Sequence, residues 1–382
     1  METSCRGADE AAPASAERSD KMKLPIEILL QIIHCIAPPH RRALIPLHHS
    51  STQTLLSLAR VCKATHGEAT KLFRQHCVFL NTSRRLADLL LCIEWQRQQQ
   101  QQDQAPKRAH ALGSSLRCLT SLYLAPFQRS LDDLPIAIWA CEMLFEVAPT
   151  LRRLVVKMPF ASLPPQEDHL GVHRRLYEGL ASLRRLEEFV CLDGYPVGSQ
   201  SEAGVYQYVD AGERPGIGDV WKNWPRLRRL ALFGVSLDEG SLWRALGGLA
   251  VLDEVVLARA AHIDVVNVKE EYFSAKTAME AEGREGEAGE EGEEEEEYEE
   301  DGGGKKSDGG IRFMLMDVMY DVRDVRTAGW ARIDAGNRMR VEVYEVPTSF
   351  YGDESAEEAV AAWLKMGALD GRLWDWRGGV VG

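Results

Sequence analysis

The sequence predicts an α/β protein: a helical N-terminal module, an irregular solenoid of alternating strands and helices on a parallel sheet, and a C-terminal α+β cap. Three observations lead there. Residues 24–73 hold three short amphipathic stretches of helical period. From residue 116 onward an apolar frame, L-x-x-L-x-L with substitutions, recurs five times with helical segments between the copies. After an acidic run, residues 311–322 and 339–346 read as strands and 354–366 as a helix with Ala359, Ala362, Trp363 and Met366 on one side.

Composition sets the bounds. The chain has 382 residues, 45% of them hydrophobic, enough for a sizeable core and two or three domains. No apolar run approaches the ~18 residues of a spanning helix, which argues against a membrane partner. The opening METSCRGADEAAPASAERSD lacks the apolar stretch of a secretory signal. The eight cysteines are scattered without a C-x-x-C pair, the usage of reduced thiols in the cytoplasm or nucleus. The net charge of −13 is local, because residues 280–301 alone hold fourteen Asp or Glu and one Arg. The remainder is neutral overall, which gives no support to nucleic-acid binding. The expected segments are a disordered tail (1–21), the helical module (22–76) and a strand–helix connection with a Gln-rich linker (77–115). The repeats (116–275), an acidic disordered linker (276–310) and the cap (311–382) follow.

In the helical module, Pro25 and Glu27 suit a first helical turn. Leu29, Ile32, Ile33 and Ile36 then define one apolar side. Ser51 and Thr52 are N-cap residues for a second helix carrying Leu55, Leu58 and Cys62, and a third carries Leu72 and Phe73. Helices this short must pack on one another, and the stripes are wide enough to leave apolar surface over. An ordinary helical hairpin at the end of a repeat array has the same pattern. Leu24-Pro25-x-Glu27-Ile28-Leu29 and Leu58-x-x-Val61-Cys62-Lys63 resemble an F-box, over about 50 of the 382 residues. The resemblance implies docking on the Skp adaptor of a cullin-RING ubiquitin ligase. The implied adaptor contacts are Leu24, Pro25, Ile28, Leu29, Ile32, Leu58, Val61 and Cys62.

The repeated frame starts at Leu119, Leu151, Leu186, Leu227 and Leu252. Helical segments separate most copies, clearest at 131–149, 167–183 and 238–249, with WKNWP (221–225) a remnant of another. Strand and helix in alternation build a parallel sheet with right-handed crossovers. The frame resembles a degenerate leucine-rich repeat; a general α/β domain is the other reading. Period-2 alternation assigns the face away from the helices. It carries a charged row (Ser121, Arg153, Glu188, Arg229, Glu254) and two largely apolar rows. Those are Tyr123, Val155, Val190, Ala231 and Val256, then Ala125, Lys157, Leu192, Phe233 and Ala258. Apolar rows on a sheet mark either a partner surface or a face covered by the same chain. A receptor of this type holds a protein substrate on its repeats, and Tyr123, Arg153, Lys157, Arg229 and Phe233 are the candidate contacts. The recurring pairs Arg152/Arg153, Arg184/Arg185 and Arg228/Arg229 read as a strip for an acidic or phosphorylated segment, or as stems covering the repeat edge.

Motifs that carry chemistry are sparse. GGGKKS (302–307) departs from a phosphate loop at both the first glycine and the metal-binding hydroxyl. His169 and His173 lie four residues apart without an HExxH, and no G-x-S-x-G or G-x-G-x-x-G is present. The expectation is a substrate receptor that is not an enzyme and needs no cofactor or metal.

Overall fold

The computed structural model describes residues 25–38, 40–102, 119–164, 167–196, 217–287, 310–348 and 354–382. The expected tail, residues 103–115 of the connection, the first three residues of the repeats (116–118) and residues 288–309 of the acidic linker lie outside them. The fold is α/β around one nine-stranded, mostly parallel open sheet.

Helices α1 (Ile26–Ile36), α2 (Ser50–Leu58) and α3 (Lys63–His76) form the N-terminal module. They close over Ile33, Leu55, Ala69 and Leu72, together with Ile45 and Cys77. Strand β1 (Phe79–Leu80) and α4 (Ser83–Gln102) follow. The glutamine run, expected as a linker, continues α4: glutamine is a good helix former, and Leu86 and Ile93 anchor the helix to the core. The repeats then run β2 (Ser121–Leu124), α5 (Leu134–Val147), β3 (Arg153–Val156), α6 (Val172–Ala181) and β4 (Glu188–Gly194). They continue with β5 (Arg229–Phe233), α7 (Gly240–Gly247), β6 (Glu254–Ala258) and α8 (Val268–Glu287). WKNWP lies within and just after a 3₁₀ turn at Ile217–Asn223 that buries Trp221 and Trp224 completely. The first residues of the acidic run are helical, as the end of α8.

The C-terminal segment lengthens the sheet. Strands β7 (Ile311–Asp317) and β8 (Met339–Glu345) add to β6 in parallel, with α9 (Trp330–Ile333) between them. After α10 (Ala356–Asp370), β9 (Gly379–Val380) pairs antiparallel with β8. The strand order is consecutive from β1 to β9. With right-handed crossovers that always step the same way, the connecting helices lie on one face. Register follows the repeat frame: Ser121 opposes Arg153, then Glu188, Arg229 and Glu254 in turn. The frame residues Leu154, Phe189, Leu230 and Val255 join the core beneath α4–α8.

The opposite face holds a second core, and α10 is its lid. Val360, Leu364 and Ala368, with Leu373 and Trp374 beyond the helix, pack on Val155, Val190, Ala231, Val256 and Met314. The buried face of α10 differs from the expected stripe of Ala359, Ala362, Trp363 and Met366. It is Ala359, Val360, Leu364, Gly367 and Ala368, while Ala362 and Met366 are exposed. The large side chains suggested the wrong stripe, because the seam is built on small residues; at Gly367 a Cβ would collide with the Trp376 ring.

The end of α10 is tied to the N-terminal module. Leu44 N–H donates to Leu369 O (2.6 Å), and Gly371 closes the helix at φ +75°. A Cβ on Gly371 would sit 2.8 Å from Ala43 N, so both conformation and contact require glycine. Leu364→Ala is expected to lower the unfolding free energy by about 2–5 kcal/mol in urea titrations, in one transition shared by the near-UV and far-UV signals. Gly371→Ala is expected to cost more than about 1 kcal/mol through its left-handed φ alone.

Candidate protein-docking site

The N-terminal module buries one side of each helix, while α1, α2 and the turn before α3 leave apolar side chains in water. In α1, Ile33 is fully buried, with Leu30 and Ile36 partly so. Ile28 and Ile32, one turn apart on a different side, are 40% and 42% exposed. Val61, in the turn before α3, is 62% exposed. Of the other expected adaptor contacts, Pro25 and Cys62 are exposed and Leu29 and Leu58 are half-buried. Leu24 lies outside the described residues. Ile26 and Leu56 are also exposed and were not among the expected contacts. Leu56 follows the fully buried Leu55 and therefore points off the packed stripe, a signal present in the helical period.

The turn carrying Val61 is held by a reciprocal cap on α3. Thr65 Oγ1 accepts from Cys62 N (3.2 Å), and the Cys62 thiol lies 3.4 Å from the same oxygen. These bonds to Thr65 hold the exposed thiol below its ordinary pKa. The long connection between α1 and α2 is pinned by buried His76, whose Nδ1 is 2.8 Å from Ala43 O. Burial is the main cause that lowers the His76 pKa, so the ring is held neutral.

The sheet face expected to hold substrate is largely enclosed. Tyr123, Arg153 and Phe233 are 2%, 4% and 6% exposed, and Arg229 is half-buried. Burial raises the Tyr123 pKa to about 12. Lys157 is exposed. The charged row is a cross-strand ladder. Arg153 Nε reaches Glu188 (2.6 Å), Arg229 reaches Glu254 (3.0 Å), and Arg312 reaches both Glu254 (3.6 Å) and Glu342 (3.4 Å). Arg42, from the connection after α1, stands 3.9 Å from Glu188. At the edge, Arg152 pairs with Glu187 and Arg228 with Asp253. The pairs Arg152/Arg153 and Arg228/Arg229 thus find their partners on or just before the next strand.

Among the described residues, no group of three or more His, Cys, Asp or Glu is placed to hold a metal ion, and no helix is long and apolar enough to cross a membrane. GGGKKS lies outside the described residues. Comparison with protein-family models, with curated proteins and with solved structures finds no match.

Two expectations follow. Ile32→Ser and Val61→Ser are expected to shift the unfolding free energy by no more than about 0.5 kcal/mol, whereas Ile33→Ala costs about 2–5 kcal/mol. The second concerns pH. The folded His76 pKa lies below the unfolded value of about 6.5, so the unfolded state binds the proton more readily. The stability this contributes is complete above about pH 6.5 and is lost as pH falls. His173 is shifted the same way, chiefly by burial. The urea midpoint is expected to drop between about pH 7 and pH 5.5, and His76→Gln is expected to reduce that drop.

Proposed function

We propose that this chain is the substrate-recognition subunit of a Skp-cullin-F-box type ubiquitin ligase. In this reading the helical module docks on the Skp adaptor and the repeats, of leucine-rich type, hold a protein substrate. The observation that carries the reading is a module with a complete small core of its own that still presents Ile28, Ile32, Leu56 and Val61 to water. Apolar side chains gathered on a module that has already packed itself mark a surface for another protein. Such a receptor has no bond to break. It works by raising the effective concentration of a substrate lysine near a conjugating enzyme, in the cytoplasm or nucleus.

The strand order supports the same direction. Ligand crevices in open α/β sheets form where the order reverses and neighbouring connections diverge to opposite faces. Here the order runs consecutively from β1 to β9. Because α10 occupies the other face, substrate in this reading meets the rims of the sheet, with Lys157 the exposed member of the candidate set.

A second reading, a repeat scaffold unconnected to ubiquitin whose module is an N-terminal cap, draws on the contacts of Ala43 and Leu44 with Gly371 and Leu369. The test is co-purification of the full chain with a Skp-type adaptor. Capture by the wild type and a loss of about a hundredfold in affinity for Ile32→Asp with Val61→Asp are expected, from removing two apolar contacts and burying two charges. A double variant that binds as well as wild type would sink this surface, and a wild-type chain that is not captured would favour the cap reading.

A further inference from the structure

At the amino ends of β6, β7 and β8 lies a cleft of about 290 Å³, lined by Asp253, Glu254, Gly310, Arg312, Arg340, Glu342 and Arg377. The lining itself sets three carboxylates against three arginines, and Arg228 and Arg229 reach two of those carboxylates from outside it. Each carboxylate is already engaged by the chain's own arginines: Asp253 by Arg228 (2.7 Å), and Glu254 by Arg229 (3.0 Å) and Arg312 (3.6 Å). Glu342 is engaged by Arg312 (3.4 Å), by Arg340 (2.6 Å) and by the backbone N–H of Gly378 (3.1 Å). Four arginines therefore serve these three carboxylates, and Arg377 stands beside them as a fifth.

The excess has identifiable atoms. Arg377 donates to two backbone carbonyls, Trp374 O and Trp376 O (2.9 Å each), and has no carboxylate partner among the described residues. Arg312 is 9% exposed, and its Nε is buried without a hydrogen-bond partner. Its other nitrogens are committed to Glu342, Trp374 O and Trp376 O, which fixes the guanidinium plane. Arg340, 54% exposed, stands at the mouth.

We infer that this cleft is a binding site for a phosphate-type oxyanion, either free or carried on a phosphorylated side chain. Arg377 and Arg340 supply the exposed N–H donors, and the buried Arg312 guanidinium beside them adds positive charge. Guanidinium forks suit this because they offer paired N–H donors in one plane to a multi-oxygen acceptor. At about 30 Å³ per water the cleft has room for a phosphate group and part of what carries it. The inference does not depend on the ubiquitin reading.

The test is calorimetric titration of the full chain with inorganic phosphate, with N-acetyl-phosphoserine amide, and with N-acetyl-serine amide as the uncharged control. Binding of either phosphate-bearing probe, weakened about tenfold or more in Arg377→Gln and in Arg340→Gln, is the expected result for loss of one charge-assisted donor. Arg244→Gln, exposed on α7, is the distant control and is expected to bind as wild type. Phosphate alone identifies a free ion, and phosphoserine alone a protein-borne group. Binding that persists in both cleft variants, that falls equally in Arg244→Gln, or that is absent for both probes overturns the assignment. Circular dichroism melts of each variant separate lost binding from lost fold.

Discussion

The structure depends on a line of charges that runs across the sheet beneath its own lid. Arg153, Glu188, Arg229, Glu254 and Arg312 alternate in sign from β3 to β7, and Glu342 on β8 completes the line. Arg153, Glu188 and Glu342 are 4%, 4% and 0% exposed. Charges so placed are tolerable only when each meets its partner, and only one register allows that. A slip by one residue would swing every charge into the opposite core, against Leu154, Phe189 and Leu230. The ladder thus specifies alignment where the purely apolar rows would tolerate more than one.

The same arginines hold the lid. Arg153 Nη2 donates to Ala368 O near the end of α10, and Arg312 donates to Trp374 O and Trp376 O (2.8 Å each). Ala368 is in the last turn of α10, where carbonyls lack partners inside the helix and positive charge is favoured. One set of side chains therefore sets strand register, closes a helix end and seats the segment that covers the second core. Arg42 and Leu44 bring the N-terminal module to the same corner.

Much of this was legible in the sequence. The frame placed Ser121, Arg153, Glu188, Arg229 and Glu254 in one row, and the register pairs them so. Two further copies are masked in the sequence, because Gly310 and Arg338 stand where the frame starts with leucine; Phe313 and Leu315, then Val341 and Val343, keep the rest. The ion pairs were hidden for another reason. Arg153 and Glu188 are 35 residues apart, so the pairing shows only once the copies are stacked. The lid's seam was misplaced because small residues, not Trp363 and Met366, make the closest approach. In the helical module the period groups Ile32 with Ile33 and Ile36, yet Ile33 is buried and Ile32 exposed, because adjacent helical residues point about 100° apart; Leu58 packs partly against the module's own core.

The position of α10 in the chain has a consequence for biosynthesis. Each repeat can close on the ribosome as it emerges, because the helix covering its inner side follows soon after its strand. The other side of every strand waits for residues 356–374, which follow β8. Until they leave the exit tunnel, Val155, Val190, Ala231, Val256 and Met314 form an uncovered apolar strip beside a row of half-satisfied charges. Transiently exposed apolar surface of this kind is aggregation-prone. Stop codons or frameshifts upstream of α10 would leave a polypeptide with its helices packed and its sheet open to aggregation.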